Sequence, residues 1–117
     1  MGTVNVRRVY ESSPAGAFRI LVDRVWPRGL TKEKAEVGLW LKEVAPSTEL
    51  RKWFAHDPDR FEEFAERYRQ ELEGSEALEQ LKDAVAEHGQ VDLVYSAHDE
   101  EHNQAVVLQD LLAERRG

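Results

Sequence analysis

The chain has 117 residues, 41% of them apolar, with 16 Lys or Arg against 23 Asp or Glu and a formal net charge of −7. That length and composition suit one small folded domain and exclude a disordered chain. The absence of cysteine excludes disulfides, thiolate zinc sites and a cysteine nucleophile, no apolar run approaches the roughly 18–20 residues of a membrane span, and the acidic total argues against a general nucleic-acid binder.

Met1-Gly2 opens like a myristoylation signal, but Val6 stands where that signal wants Ser or Thr. No stretch of signal-peptide type follows, so a cytoplasmic location is expected. Val4, Val6 and Val9, alternating with polar residues, predict a strand. The Ser/Pro/Gly cluster of residues 11–16 predicts a loop, and Phe18 to Val22 a second strand. Pro27 and Gly29 mark the following segment, Asp23 to Gly29, as a turn. Thr31 is placed to cap a short helix running to Glu36, and Leu39 to Val44 is a third strand candidate. Pro46 ends it, and Ser47 or Thr48 caps a short helix with Leu50, Trp53 and Phe54 on one face. Asp57-Pro58 is a helix start, because Asp supplies the cap oxygen and Pro at the first position loses no needed hydrogen bond. Phe61, Phe64, Ala65, Tyr68 and Leu72 then recur at helical spacing until Gly74. Ser75 caps a further helix with Leu78, Leu81 and Val85 facing inward and Gly89 as its stop. Val91 to Tyr95 predicts a fourth strand, and a last helix is expected from about Glu100 to Glu114, with Asp99 as its N-cap.

Strands separated by helices require crossover connections. The expected fold is therefore a small single α/β domain over residues 1–117, with a mainly parallel sheet of about four strands covered by helices. The loop between the first two strands is short enough for a hairpin, which would make one edge antiparallel.

In such sheets ligands bind beyond the carboxyl ends of the strands, near helix N-termini. Strand two leads to Asp23, Arg24, Trp26 and Arg28, strand three to Ser47 and Arg51, and strand four to Ser96, His98, Asp99, His102 and Asn103. Arginines offer a planar fork for phosphate or carboxylate. These residues form a candidate ligand-binding set, with Asp99 and His102 as proton-transfer candidates. Plainer roles compete with each. Asp23 and Arg24 also suit an ion pair fixing the turn, Trp26 a packed aromatic lid, Ser47 a cap, Arg51 a solvated surface position, and Asn103 an amide that ties down the loop. His98 and His102 share the i,i+4 spacing of zinc helices, but Asp99 stands where that motif wants Glu and no third ligand has recognisable spacing, so no metal is expected. Phosphate-loop, dinucleotide and nucleophile-elbow motifs are missing, and no cofactor is expected.

The segments Arg19 to Leu30, Leu39 to Arg51, Trp53 to Pro58 and Tyr95 to Leu108 together resemble the YeaO-like family, part of a larger domain-of-unknown-function group, four-eight-eight. The resemblance implies a small α/β domain and brings no established activity. The wider group often carries Cys-Ala-Glu after the last strand and Cys-His-Arg at the last helix. In this chain the cysteine positions hold Tyr95 and Asn103, followed by Gln104 and Ala105, so thiol chemistry does not transfer.

The net charge hides a split. Residues 1–54 carry ten Lys and Arg against six Asp and Glu, net +4, and residues 55–117 six against seventeen, net −11. The leading expectation is a pocket for a small anionic or phosphorylated ligand, with or without turnover. The alternative is a nucleic-acid or regulatory module using the basic N-terminal half, and the split charge would also suit self-association. No membrane partner is expected.

Overall fold

A computed structural model describes residues 3–114. The lipidation-like opening at Met1-Gly2 lies outside the described residues. Four strands, β1 (Thr3–Arg8), β2 (Phe18–Leu21), β3 (Leu39–Trp40) and β4 (Gln90–Tyr95), form one sheet in the order β1-β4-β2-β3. Every pairing is parallel. The hairpin expected between β1 and β2 does not form, because β4 lies between them. Every residue of β4 from Val91 to Tyr95 is buried, so this strand needs cover on both faces and a neighbour on each side.

Five helices follow their caps: α1 (Lys32–Ala35), α2 (Thr48–Phe54), α3 (Phe61–Leu72), α4 (Glu76–Glu87) and α5 (Gln104–Glu114). Thr31, Ser47 and Ser75 each accept a backbone N–H in the first turn of α1, α2 and α4, a contact worth about 1 kcal/mol apiece. Asp57 caps a 3-10 turn, Pro58–Arg60, that leads into α3.

Two boundaries differ from expectation. Strand pairing stops at Trp40 rather than Val44, and Lys42–Val44 forms a 3-10 turn. Leu41 and Val44 are buried while Lys42 and Glu43 are exposed, which is turn spacing and not strand alternation. The Tyr68 hydroxyl donates to the Val44 carbonyl and fixes that turn. The last helix begins at Gln104 rather than near Glu100. Its cap is Asn103, whose Oδ1 accepts the Val106 N–H at 3.1 Å. Asp99, expected as that cap, closes a separate turn by accepting the N–H groups of Glu101 and His102.

The chain passes outward from β2 to β3 through α1, then back across β2 to β4 through α2, α3 and α4. Right-handed crossovers in opposite directions fall on opposite faces. Accordingly α2 to α5 bury one face around Ile20, Leu93, Leu81 and Leu108. On α3, Phe64 stacks on Phe54 of α2 at 4.2 Å and on Tyr68 at 5.6 Å. A smaller cluster, Val9, Leu21, Ala35 and Val94, covers the other face together with Trp26, Leu30 and Val37.

That thinner face carries two buried charges. Arg19 donates to the carbonyls of Ala35, Glu11 and Val9 and to the Ser13 hydroxyl, all within 2.8 Å. Asp92, fully buried on β4, pairs with Arg7 of β1 at 2.8 Å. At the β1 edge, the Gln109 amide of α5 donates to the Val4 carbonyl. No helix among the described residues is long and apolar enough to cross a membrane.

Candidate functional site

A cleft of about 760 Å³ opens at the carboxyl ends of β2 and β4. One wall is α2 and the residues before it, with Arg51 and Lys52. The other is the loop from Ser96 to Asn103 and the first residue of α5. Phe54 and Phe64 lie beneath.

Asp23 organises this cleft. It follows β2 directly, and its side chain is buried. Oδ2 accepts the Ser96 N–H at 2.9 Å, at the end of β4, and Oδ1 accepts the Gln104 amide at the start of α5. Its own carbonyl accepts the Trp40 indole N–H at 2.7 Å. One residue thus joins the ends of β2, β3 and β4 to α5. Burial raises the Asp23 pKa above the usual carboxylate value, while the Ser96 and Gln104 hydrogen bonds and the nearby Arg51 charge oppose the rise.

The Ser96 to Asn103 loop is held at both ends. Arg8 donates to the carbonyls of Ala97 and Ser96 at 3.0 and 3.3 Å. Asn103 is 2% exposed, and its Nδ2 donates to the Asp99 carbonyl. Within the loop the Asp99 carboxylate contacts His102 Nδ1 at 2.9 Å. The N–H of Glu101, then the ring and N–H of His102, hold the Asp99 carboxyl below its usual range. An Nδ1–H donated to Asp99 leaves Nε2 as the imidazole's reactive nitrogen. The ring is braced edge-on by Phe61 at 5.2 Å.

Of the candidates read from sequence, the fold gathers Asp23, Arg24, Arg51, Ser96, Asp99, His102 and Asn103 around this cleft. Trp26, Arg28 and Ser47 do not line it. Trp26 packs under the second face, with its indole N–H on the Leu30 carbonyl and its ring edge-on to Trp40. Arg28 is exposed, and its carbonyl accepts the Tyr10 hydroxyl. Ser47 is held by the Glu71 carboxylate at its N–H and hydroxyl. Arg24 donates to the carbonyls of Ala45 and Pro46, and its buried Nε meets no acceptor among the described residues.

A family profile described as the inactive DUF488-N3 subclade matches residues 3–116. The chain belongs to this DUF488-N3 subclade. The uncharacterised YeaO protein of Escherichia coli is 38% identical over 110 residues, spanning 93% of this chain and 96% of its own. Uncharacterised proteins of Mycobacterium tuberculosis and Mycobacterium bovis are 54% identical over 80 residues, 68% of each chain. No solved structure matches.

In this DUF488-N3 chain Tyr95 is buried and its pKa raised, chiefly by burial and then by Glu100, with the Asn103 side chain opposing. Tyr95 and Asn103 are thus both tied into the fold.

Sequence reasoning missed Lys52 and Gln104 as cleft residues, and placed His56 only as a residue able to reach the His98 and His102 segment in space. Gln104 had no local signal. His56 enters the cleft because Ala55 and His56 both take left-handed backbone, with φ of 49° and 57°. Neither residue type announces that conformation, which glycine or asparagine would. Relieving it at Ala55, whose conformation ends α2, gives a clean test. Ala55→Gly is expected to raise stability by roughly 0.5–1 kcal/mol in urea denaturation, and a loss would mean that the turn is unstrained. His56, His98 and His102 all line the cleft. Among the described residues, however, no three His, Asp or Glu side chains converge as a metal ion requires.

Proposed function

We propose that the cleft binds a small anionic or phosphorylated ligand. The observation that carries this reading is the balance of committed and uncommitted charge. Both carboxylates lining the cleft are engaged, Asp23 by Ser96 and Gln104 and Asp99 by its own turn and His102. The exposed side chains of Arg51 and Lys52 make no hydrogen bond or ion pair within the described residues. Groups able to meet a ligand are therefore cationic, and the positive end of the α5 dipole adds to them. His102 is the group placed to exchange a proton with that ligand. The subclade's description as inactive fits binding without turnover, as do Tyr95 and Asn103 at the positions where the wider group often carries cysteine.

The nucleic-acid alternative draws less support. Of the ten cations in residues 1–54, Arg7, Arg8, Arg19 and Arg24 are each turned to acceptors within the protein. They do not make an outward basic face.

Thermal shift in inorganic phosphate at constant ionic strength tests the reading. A ligand at about 100 times its dissociation constant stabilises by roughly 2.7 kcal/mol. Arg51→Ala, which removes no hydrogen bond or ion pair within the described residues, is expected to weaken phosphate by about tenfold. An unchanged affinity would refute the assignment.

A further inference from the structure

We infer that the ligand of this cleft is an organic phosphate monoester of nucleotide-like size, with its phosphate on the Arg51–Lys52 wall and its apolar or planar body on the cleft floor. This rests on the anion-binding reading above and goes beyond it in naming what the anion is attached to.

Three observations point the same way. The first is size. A cleft of about 760 Å³ falls within the range of roughly 300–1,000 Å³ that accommodates whole organic ligands. A bare oxyanion would leave most of it to water. The second is the lining. The lining also includes Val25, Ala45, Pro46, Phe54, Phe64 and Ala97, apolar surface that a simple oxyanion would not use. Val25 is 61% exposed although it is a large aliphatic side chain. It lines the cleft, where an apolar ligand body would cover it. The third is the arrangement of charge. Arg51 and Lys52 are consecutive on α2, so fork and point charge come from one wall, which suits the several oxygens of a terminal phosphate. The opposite wall presents the His102 imidazole, oriented by Asp99, and the Ser96 residue. Those groups suit hydrogen-bonding atoms on the body of the ligand. Cations at one side and apolar floor between them describe an amphiphilic phosphate.

Calorimetric titration of the full chain at constant ionic strength, with inorganic phosphate, phenyl phosphate, adenosine monophosphate and adenosine as probes, tests this. The expected order places one or both organic phosphates at least about tenfold tighter than inorganic phosphate, with adenosine weaker than its monophosphate by a similar factor. The exposed Val25→Ser change is expected to reduce that organic preference while leaving inorganic phosphate affinity unchanged. Inorganic phosphate binding as tightly as both organic phosphates would overturn the inference and leave the anion reading standing. Adenosine binding as tightly as its monophosphate would overturn the anion reading. Failure of every probe to bind wild-type protein below about 10 mM would overturn both.

Discussion

Arg19→Met lowers the unfolding free energy by about 3–5 kcal/mol, a large part of the roughly 5–15 kcal/mol that holds a domain of this size together. Arg19 is 5% exposed, and its guanidinium donates to four acceptors. Those acceptors come from the β1–β2 loop and from α1, the two connections that cross the thinner face of the sheet. Methionine fills comparable volume but leaves the carbonyls of Val9, Glu11 and Ala35 without their donor. Arg19→Lys recovers only part of the loss, because one ammonium cannot span acceptors arranged around a planar fork. Urea denaturation followed by circular dichroism reads both. A methionine variant within about 1 kcal/mol of wild type would mean that water replaces the guanidinium at little cost.

The second large effect is at Asp23. Asp23→Ala removes the acceptor for Ser96 N–H and for the Gln104 amide. The expected loss is about 2–4 kcal/mol, together with loss of phosphate binding, since the loop carrying Asp99 and His102 is no longer tied at that point. Asp23→Asn keeps both contacts if the Gln104 amide turns over, and stays within about 1 kcal/mol of wild type at neutral pH. The two proteins then part on acidification. Burial raises the folded pKa of Asp23, so the folded state holds that proton more tightly than the unfolded chain. This contribution is fully present below the unfolded carboxylate pKa and is lost as pH rises through the raised folded value. Wild type should therefore gain on Asp23→Asn between neutral pH and about pH 4. A stability difference that stays constant with pH would contradict the burial argument.

Much of the fold is legible in the sequence because its signals are local. The cap oxygens of Thr31, Ser47, Asp57 and Ser75 sit where the sequence places them. So do Phe64, Tyr68 and Leu72 on the buried side of α3. Pairing is another matter. A short loop after β1 permits a hairpin, but it says nothing of a later strand with buried residues on both faces that takes the place between β1 and β2. The 3-10 turn at Lys42–Val44 depends on Tyr68 reaching its carbonyl from another helix, a contact no window of sequence contains. Asp99 and Asn103 are both good cap residues. Only the fold decides that Asn103 starts α5 while Asp99 orients His102.

The site divides in the same way. Strand order places residues at the rim, which is why Asp23, Arg24, Arg51 and the Ser96 to Asn103 segment come together. It does not fix where side chains turn. Trp26 goes under the sheet, Ser47 goes to Glu71, and Arg8, which reads as part of an ordinary strand, reaches the loop that carries Asp99 and His102. Arg19 has the weakest sequence signal of all, since an arginine between strand residues reads as solvent-facing until the chain is seen to cross above it.

The central place of β4 has a consequence for how the molecule is made. Among the described residues β1 pairs with nothing but β4, and β2 has only the two-residue β3 besides. Until β4 has been made, the first two strands have almost no backbone partners among the described residues, and their valines and isoleucine wait for it. Sheet closure is therefore a high-contact-order event, and the nascent chain carries unsatisfied strand edges until β4 has emerged. The early order available to it lies in α3 and α4, whose caps and apolar stripes are complete within their own stretch of sequence.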